Sequence, residues 1–188
     1  MKTQNPQLNY SVCFNALRSA SALLAAIGLL PSAPARAQGT DNSAPDVPAA
    51  IEVLAGKKVH FHAYAEGVQI YQWSGTAWVF VAPEATLFAD ADADGEIGTH
   101  YAGPTWENNS GSTVVGTRLA GVNVTPGAIP WLLLQAKSTT GPGCFKLTTY
   151  IQRVNTEGGV APSAPGASVG EIARVPYTAE YFFYRAEH

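Results

Sequence analysis

The feature that most constrains the fold of this chain is an alternation of apolar and polar residues with a period of two, interrupted repeatedly by glycine and proline. The segment Val59–Ala65 alternates in this way, which is typical of a strand with one buried face. Two further runs rich in β-branched and aromatic residues, Val68–Trp73 and Ala77–Val81, flank the connection Ser74-Gly75-Thr76. A short glycine-containing connection between two such runs predicts a β-hairpin.

Similar runs continue along the chain, and no segment shows a convincing helical period. The predicted strands are 59–65, 68–73, 77–81, 85–89, 97–102, 113–119, 129–137, 145–154 and 174–184. Pro83 is expected to end the third strand, because proline cannot donate to a strand ladder. About nine short strands in 188 residues, 46% of them hydrophobic, indicate an all-β, single-domain antiparallel sandwich or barrel.

The N-terminal residues are typical of a cleaved export signal. Lys2 and Arg18 supply positive charge ahead of Ser19–Leu30, an apolar run of about a dozen residues. Ala35-Arg36-Ala37 then has the small-x-small pattern that signal peptidase recognises. The apolar run is shorter than the roughly 20 residues that span a bilayer, although an uncleaved anchor is the alternative. We therefore expect residues 1–37 to be a signal peptide cut after Ala37, the mature protein not to insert into membranes, and its location to be periplasmic or secreted.

The remaining residues divide by composition. Residues 38–50 are polar and proline-punctuated, which predicts a flexible leader into a β-domain at 51–188. Within that domain, residues 157–170 are almost all small, Gly or Pro, which predicts a mobile loop. Cys13 belongs to the predicted signal, so Cys144 has no partner for an internal disulfide and is expected to be a small buried apolar group.

The distribution of charge excludes one class of partner. The formal net charge is −3, and residues 1–37 contain Lys2, Arg18, Arg36 and no acidic residue, so the remainder is more acidic still. Binding of nucleic acid requires clustered positive charge that releases counterions, and no Lys/Arg cluster occurs here. A glycine-rich strand-to-helix turn that would hold a dinucleotide is also absent from the sequence, and we expect no cofactor.

Six ordered motifs resemble a bacterial and fungal family of secreted proteins of unknown function called DUF3455. The resemblance covers about residues 50–185 and implies a β-rich extracellular domain without a known activity. The motifs are Gly67–Tyr71, Pro83–Phe88, Ile97–Glu107, Ala128–Leu134, Tyr150–Gly159 and Val175–Tyr181.

The chain departs from this family at two positions. Members usually place one cysteine just after the Gln-Ile-Tyr motif and another in the loop before Val-Pro-Tyr. Here Trp73 and, approximately, Ala167 stand at those places. The resemblance therefore implies that a bridge of the relatives is missing, and that the 157–170 loop is looser than theirs.

The segment from His100 to Glu107 has the highest density of chemically capable side chains. It combines His100, Tyr101, Trp106 and Glu107 around a Gly-Pro bend, and aromatic faces with hydrogen-bonding edges are typical of sites for sugars or aromatic molecules. His100 and Glu107 together would also suit general acid–base chemistry. The alternative is that these side chains fill a core and satisfy buried backbone groups. Arg153 is a further candidate, because its guanidinium fits a carboxylate, although pairing with Glu157 or capping of a turn explains it equally well.

Two other patterns resemble metal sites incompletely. Asp90–Glu96 matches the first half of a calcium loop, but Tyr101 stands where the bidentate glutamate belongs, so a solvated acidic turn is favoured. His60 and His62 project from one strand face, with His100 as a distant third ligand, but no second-motif partner follows. We therefore assign no metal site.

The sequence favours a non-enzymatic exported module that binds a ligand or a surface, with a carbohydrate or small aromatic molecule as partner. The candidate ligand-binding residues are His100, Tyr101, Trp106, Glu107 and Arg153. A hydrolase or isomerase that uses His100 with Glu107, and a structural envelope or stress protein, are the alternatives. Catalytic residues and oligomeric state are not assigned.

Overall fold

A computed structural model describes residues 43–187 of the chain. A short 3-10 helix, Ala49–Ile51, precedes eight strands. These strands are β1 (Lys57–Trp73), β2 (Trp78–Phe88), β3 (Glu96–Tyr101), β4 (Thr105–Asn108), β5 (Thr113–Val122), β6 (Trp131–Thr140), β7 (Tyr150–Gly158) and β8 (Ile172–Ala186). Between residues 43 and 187 we find no helical segment with the length and hydrophobicity needed to cross a bilayer.

The strands form one closed antiparallel barrel. Each strand pairs with the next along the chain, and β8 pairs with β1 to close the sheet, with Ala65 opposite Ala179. Closure removes the exposed edges that an open sheet would present to other chains. The predicted all-β antiparallel class is confirmed, and the architecture is the barrel of the two alternatives.

The strands are fewer and longer than predicted. The predicted strands 59–65 and 68–73 are one strand, because Gly67 pairs with Ala85 on one side and Tyr177 on the other. A Cβ at Gly67 would lie 2.2 Å from the carbonyl oxygen of Glu84, so glycine here permits close strand approach and does not mark a turn.

The prediction that Pro83 ends a strand is wrong. Pro83 lies inside β2 opposite Gln69, close to a bulge in the pairing at Ile70/Tyr71, so the predicted strands 77–81 and 85–89 are also continuous. The four-residue strand β4 was not predicted, because Gly103-Pro104 separates it from β3 by only a tight turn.

The barrel interior is filled by alternate residues of the strands. Its buried cluster consists of Phe61, Ala63, Ala65, Ala85, Leu87, Trp106, Val114, Ile129, Leu134, Phe145, Ile151, Tyr177, Ala179, Tyr181 and Phe183. The period of two is therefore the cause of the core, since successive side chains of a strand point to opposite faces. Cys144 is half-buried against this cluster, and its Sγ accepts a hydrogen bond from Asn108 at 3.0 Å.

One end of the barrel, the closed end, is filled by Phe145 from the β6–β7 connection. Its ring is fully buried and lies 5.5 Å from the ring of Phe61 and 4.7 Å from that of Phe183, measured between centroids. The amide of Phe145 donates to the hydroxyl of buried Ser112 at 3.2 Å, which holds the connection in place. Phe145 was predicted to be the first residue of strand 145–154, but β7 begins at Tyr150.

The outer wall carries a second apolar cluster of Val59, Val154, Phe182 and Tyr184, on which Val47 and Val53 pack. The N-terminal segment is joined to it by Gln152, whose amide donates to the carbonyl of Ile51 at 2.7 Å. The phenol of Tyr184 donates to the side-chain oxygen of Gln152. Residues 43–56 thus follow the outside of the barrel.

The residues 157–170 return to the tip of the β1–β2 hairpin. The indole of Trp78 donates to the carbonyl of Ala164 at 2.8 Å, and the amide of Gly170 donates to the carbonyl of Trp73 at 2.9 Å. A Cβ at Gly166 would lie 2.6 Å from the Trp73 ring. Trp73 and the region of Ala167, the two positions at which the sequence departs from the resembled family, therefore lie close together, and the Trp73 indole packs against Gly166.

Candidate functional site

The end of the barrel opposite Phe145, the open end, contains a cavity of about 500 Å³. Its walls are mostly apolar and include Phe80, Val81, Pro83, Ile129, Leu132 and Leu134. Phe80 and Val81 are about half exposed, so the cavity reaches solvent at the rim. Such a size and composition are typical of sites for small organic molecules.

The β3–β4 hairpin sends its side chains to both faces of the sheet. His100 lies opposite Trp106 in the pairing, and both side chains are buried inside the barrel. Tyr101 and Glu107 occupy the alternate positions and lie on the outer face, where the phenol donates to the carboxylate at 2.7 Å. The predicted segment is therefore divided by the sheet into two groups.

The inner group forms an aromatic cluster with Tyr181 of β8. The rings of His100 and Trp106 stack at 4.3 Å and 10°, and the Tyr181 ring contacts both edge-on at 5.1 and 5.3 Å. Gly116 gives the indole its space, because a Cβ there would lie 3.1 Å from the ring. The cluster forms a rigid aromatic part of the cavity wall.

His100 is held as a neutral ring. Its Nδ1 lies 2.8 Å from the carbonyl oxygen of Thr105, which requires that Nδ1 carries the proton and leaves a lone pair on Nε2. Burial lowers the pKa of His100 to about 3, with the hydrogen bond to Thr105 acting in the opposite direction and the charge of Arg153 lowering it further. At neutral pH this imidazole accepts hydrogen bonds and bears no charge.

The outer pair is a surface contact. The hydrogen bond to Glu107, followed by burial, raises the pKa of Tyr101, whose side chain is exposed. Because the sheet lies between the Glu107 carboxylate and the His100 imidazole, these groups do not form the acid–base pair that the hydrolase or isomerase alternative requires.

Arg153 of β7 joins the inner group from across the barrel. Its Nε and Nη2 both donate to the carbonyl of Pro130, at 3.2 and 2.8 Å, so the guanidinium is fixed beside the cavity. Among residues 43–187 the alternative pairing of Arg153 with Glu157 does not occur, since β7 places Arg153 on the inner face. The structure thus brings together three of the five predicted residues: His100, Trp106 and Arg153.

Two buried polar atoms in the cavity wall are without a hydrogen-bond partner among residues 43–187. They are the side-chain nitrogens of Gln69 and Trp106, whose residues are 2% and 1% exposed. An unpaired buried donor costs about 1–3 kcal/mol, so an acceptor placed against either nitrogen would recover part of that cost.

Sequence reasoning missed Gln69, Tyr71, Arg118 and Tyr181, which also line the cavity. Gln69 and Tyr71 follow Ala65 at even spacing along β1, so the alternation placed them on the core face. A glutamine on the core face of a strand is a signal of a polar site that was available in the sequence. Arg118 and Tyr181 carried no such signal, because their positions depend on barrel closure.

The incomplete metal patterns lie elsewhere. His60 and His62 point outward, where His60 bonds to Thr148 at 3.2 Å and His62 to Glu180 at 2.9 Å, whereas His100 is inside. The Asp90 carboxylate accepts from the amide of Asp94 at 3.0 Å in the turn before β3. In the described part of the chain we find no group of three His, Cys, Asp or Glu side chains that would hold a metal ion.

Comparison with known proteins identifies one family. The family model described as "Protein of unknown function (DUF3455)" matches residues 54–185, which confirms the resemblance drawn from the six motifs. No curated protein and no solved structure matches the chain.

Proposed function

We propose that this chain, which belongs to the DUF3455 family of proteins of unknown function, is an exported binding protein that holds a small, flat, largely apolar molecule at the open end of its barrel. The observation that carries the proposal is the cavity of about 500 Å³ between the His100–Trp106–Tyr181 cluster and the apolar rim. It has the size of a drug-like ligand site and lies where the barrel core would otherwise be packed.

The composition of the walls favours an aromatic over a carbohydrate partner. A sugar needs many hydrogen-bonding groups around its hydroxyls, whereas Leu132, Leu134 and Ile129 supply none. The few polar groups that face the cavity, among them Gln69 and His100, are suited to fixing the orientation of a mainly apolar molecule.

A binding role explains the state of His100 better than catalysis. An imidazole with a pKa of about 3 is a poor general base at neutral pH, and its proton on Nδ1 is already donated to Thr105. In a binding site the same ring supplies a fixed acceptor and a stacking surface.

The proposal is tested by screening a library of small aromatic and aliphatic compounds against the purified protein by ligand-observed NMR. We expect aromatic compounds of about 10 to 20 heavy atoms to bind in the micromolar to millimolar range. A Leu132→Trp variant fills the cavity from its wall, so binding should weaken at least about tenfold, provided that the variant retains the wild-type circular dichroism.

Leu119→Trp is the matched control. Leu119 is half exposed on the neighbouring strand and does not line the cavity, so this variant should bind like the wild type. Binders that the wild type and both variants hold equally well would show that the cavity is not the site. A library without any binder would contradict the binding function itself.

Export is the second part of the proposal. It is supported by Lys2, Arg18, the apolar run Ser19–Leu30 and the Ala35-Arg36-Ala37 pattern, which lie outside the described residues. The mass of the protein recovered from the periplasm or medium of a bacterial host should correspond to a chain that begins at Gln38. Recovery of the whole chain from the cytoplasm alone would contradict it.

A further inference from the structure

We infer that the ligand of this cavity carries a carboxylate, bound by Arg153 and attracted by the charge of Arg118 at the rim, in addition to its apolar body. This inference rests on the proposed function and specifies the class of molecule that the site accepts.

The first argument is the charge of the wall. Arg118 and Arg153 both line the cavity, and of the residues that the structure describes no aspartate or glutamate does. Within residues 43–187 neither arginine is within ion-pair distance of a carboxylate, since the ion pairs there join Arg174 to Glu84 and His62 to Glu180. The guanidinium of Arg153 is partly buried and has lost hydration without gaining a counter-charge, so an anionic ligand would compensate it, whereas exposed Arg118 adds positive charge at the rim.

The second argument is that Arg153 is already oriented. The contact of Nε and Nη2 with the carbonyl of Pro130 uses one edge of the guanidinium. A guanidinium carries more N–H groups than this partner uses, and the remaining ones are fixed in direction before a ligand arrives. A preoriented fork loses little entropy when it binds a planar carboxylate.

The third argument is the placement of Arg118. In the sheet register Gly121, Leu132 and Arg153 lie side by side on β5, β6 and β7. A Cβ at Gly121 would lie 2.5 Å from Nη2 of Arg118 and 2.8 Å from the side chain of Leu132. The absence of a side chain at Gly121 therefore lets the Arg118 guanidinium lie beside Leu132, on the side away from Arg153.

The positive charge of Arg153 affects the pKa values of three other residues that line the cavity. Burial raises the pKa of Tyr71 and of Tyr181, and the charge of Arg153 acts against both rises. The same charge disfavours protonation of His100. A positive potential in an enclosed apolar space selects anions over neutral molecules of the same shape.

The test compares pairs of ligands that differ only in charge. Isothermal titration calorimetry on the purified protein uses benzoate against benzamide and 2-naphthoate against 2-naphthamide. We expect each acid to bind about tenfold to a hundredfold more tightly than its amide, and this ratio to fall as sodium chloride rises.

Variants assign the effect to the two arginines. Arg118→Gln and Arg153→Met should each reduce the acid-to-amide ratio at least about fivefold. Arg118 is exposed at the rim, so Arg118→Gln should fold and give an acid-to-amide ratio even if Arg153→Met fails to fold. Arg174→Gln on the outer face is the matched control and should leave the ratio unchanged.

The outcomes separate the inference from the function on which it rests. Acids and amides that bind equally, or a ratio that Arg118→Gln and Arg153→Met leave intact, would overturn the carboxylate assignment and leave the binding function standing. Competition by inorganic phosphate as strong as that by benzoate would also overturn it. Failure of all four probes and of the compound library would remove the binding function itself.

Discussion

The two ends of the barrel are built from the same strands but differ in what fills them. At the closed end Phe145 packs against Phe61 and Phe183, and its amide is bonded to Ser112. At the open end the interior holds the His100–Trp106–Tyr181 cluster, a charged guanidinium and unpaired nitrogens of Gln69 and Trp106. The interior of the closed end is filled by the protein's own side chains, whereas the interior of the open end contains a cavity.

The difference arises in the connections. The segment 141–149 turns inward and supplies the ring of Phe145, while the β5–β6 and β7–β8 connections stay at the rim, where Ala128 pairs with Gly159. Leaving one end unfilled costs stability that the other end must offset. The closed end is therefore the place to look for stability, and the open end the place to look for binding.

The largest effect is expected at the closed end. Phe145→Ala should lower the free energy of unfolding by about 3–5 kcal/mol, because a fully buried ring leaves a cavity that the barrel cannot collapse to fill. Urea unfolding followed by tryptophan fluorescence measures it. Leu147→Ala, 44% exposed in the same connection, should change stability by less than about 0.5 kcal/mol, and equal losses would contradict the role of the ring as a plug.

The next effect is the dependence of stability on pH. Burial lowers the pKa of His100 to about 3 and that of His60, near the closed end, to about 4, from 6.5 in the unfolded chain. Above pH 6.5 the two histidines are mostly neutral in both the folded and the unfolded chain, so burying them does not lower the free energy of unfolding. As the pH falls below 6.5, these histidines become protonated in the unfolded chain but stay neutral in the folded chain. The free energy of unfolding therefore falls, by about 2 kcal/mol per histidine at pH 5.

Single variants measure how much of this pH-dependent loss of stability comes from His100 at the open end and how much from His60 near the closed end. His100→Gln and His60→Gln should each remove about half of the difference between the unfolding free energies at pH 7 and pH 5. Below about pH 4 the contribution of His60 should level off while that of His100 continues. A pH profile that neither variant changes would show that the two rings are not held neutral.

A smaller loss of stability is expected when the hydrogen bond between the Phe145 amide and the Ser112 hydroxyl is removed. Ser112→Ala leaves the buried amide of Phe145 without its acceptor, which should cost about 1–3 kcal/mol. Ser138→Ala, an exposed serine of β6, is the control in the same denaturation experiment. A loss no greater than that of the control would show that the connection is held by packing alone.

The smallest effect is expected at the open end, and it distinguishes the ends most directly. Gln69→Leu removes a buried amide whose nitrogen has no partner, so the free energy of unfolding should change by less than about 1 kcal/mol, toward greater stability, while ligand binding weakens.

The control for Gln69→Leu is the same substitution at Gln152, which is equally buried but bonded to Ile51 and Tyr184. Gln152→Leu should destabilise by about 1–3 kcal/mol. Equal losses for the two variants would show that Gln69 is satisfied in the free protein.

Much of the fold was predictable from local pattern. The alternation in Val59–Ala65 indicated a half-buried strand, and β1 does bury these alternate residues, although a register shift after Val59 places that residue in the outer cluster. The strand count failed at Gly67 and Pro83 for one reason: both residues usually end strands, but here their neighbours in the sheet keep the pairing continuous. Local propensity does not contain that information.

The candidate site was predictable in part. His100 and Trp106 were selected for their chemistry, and they meet because they are cross-strand partners in a hairpin. Tyr101 and Glu107 were selected with them, but alternation places them on the opposite face, where they bond to each other. Strict use of the period of two within this segment would have separated the pairs.

The sequence by itself determined that the chain is all-β, which residues share a face within a regular stretch of strand, and the family to which it belongs, because these depend on neighbours along the chain. Only the tertiary structure decided that β8 closes onto β1, that Phe145 fills one end, and that Arg153 faces the same cavity as His100. These contacts join residues far apart in the chain, so they follow from how the sheet closes and from where its connections turn inward, which no short stretch of sequence specifies.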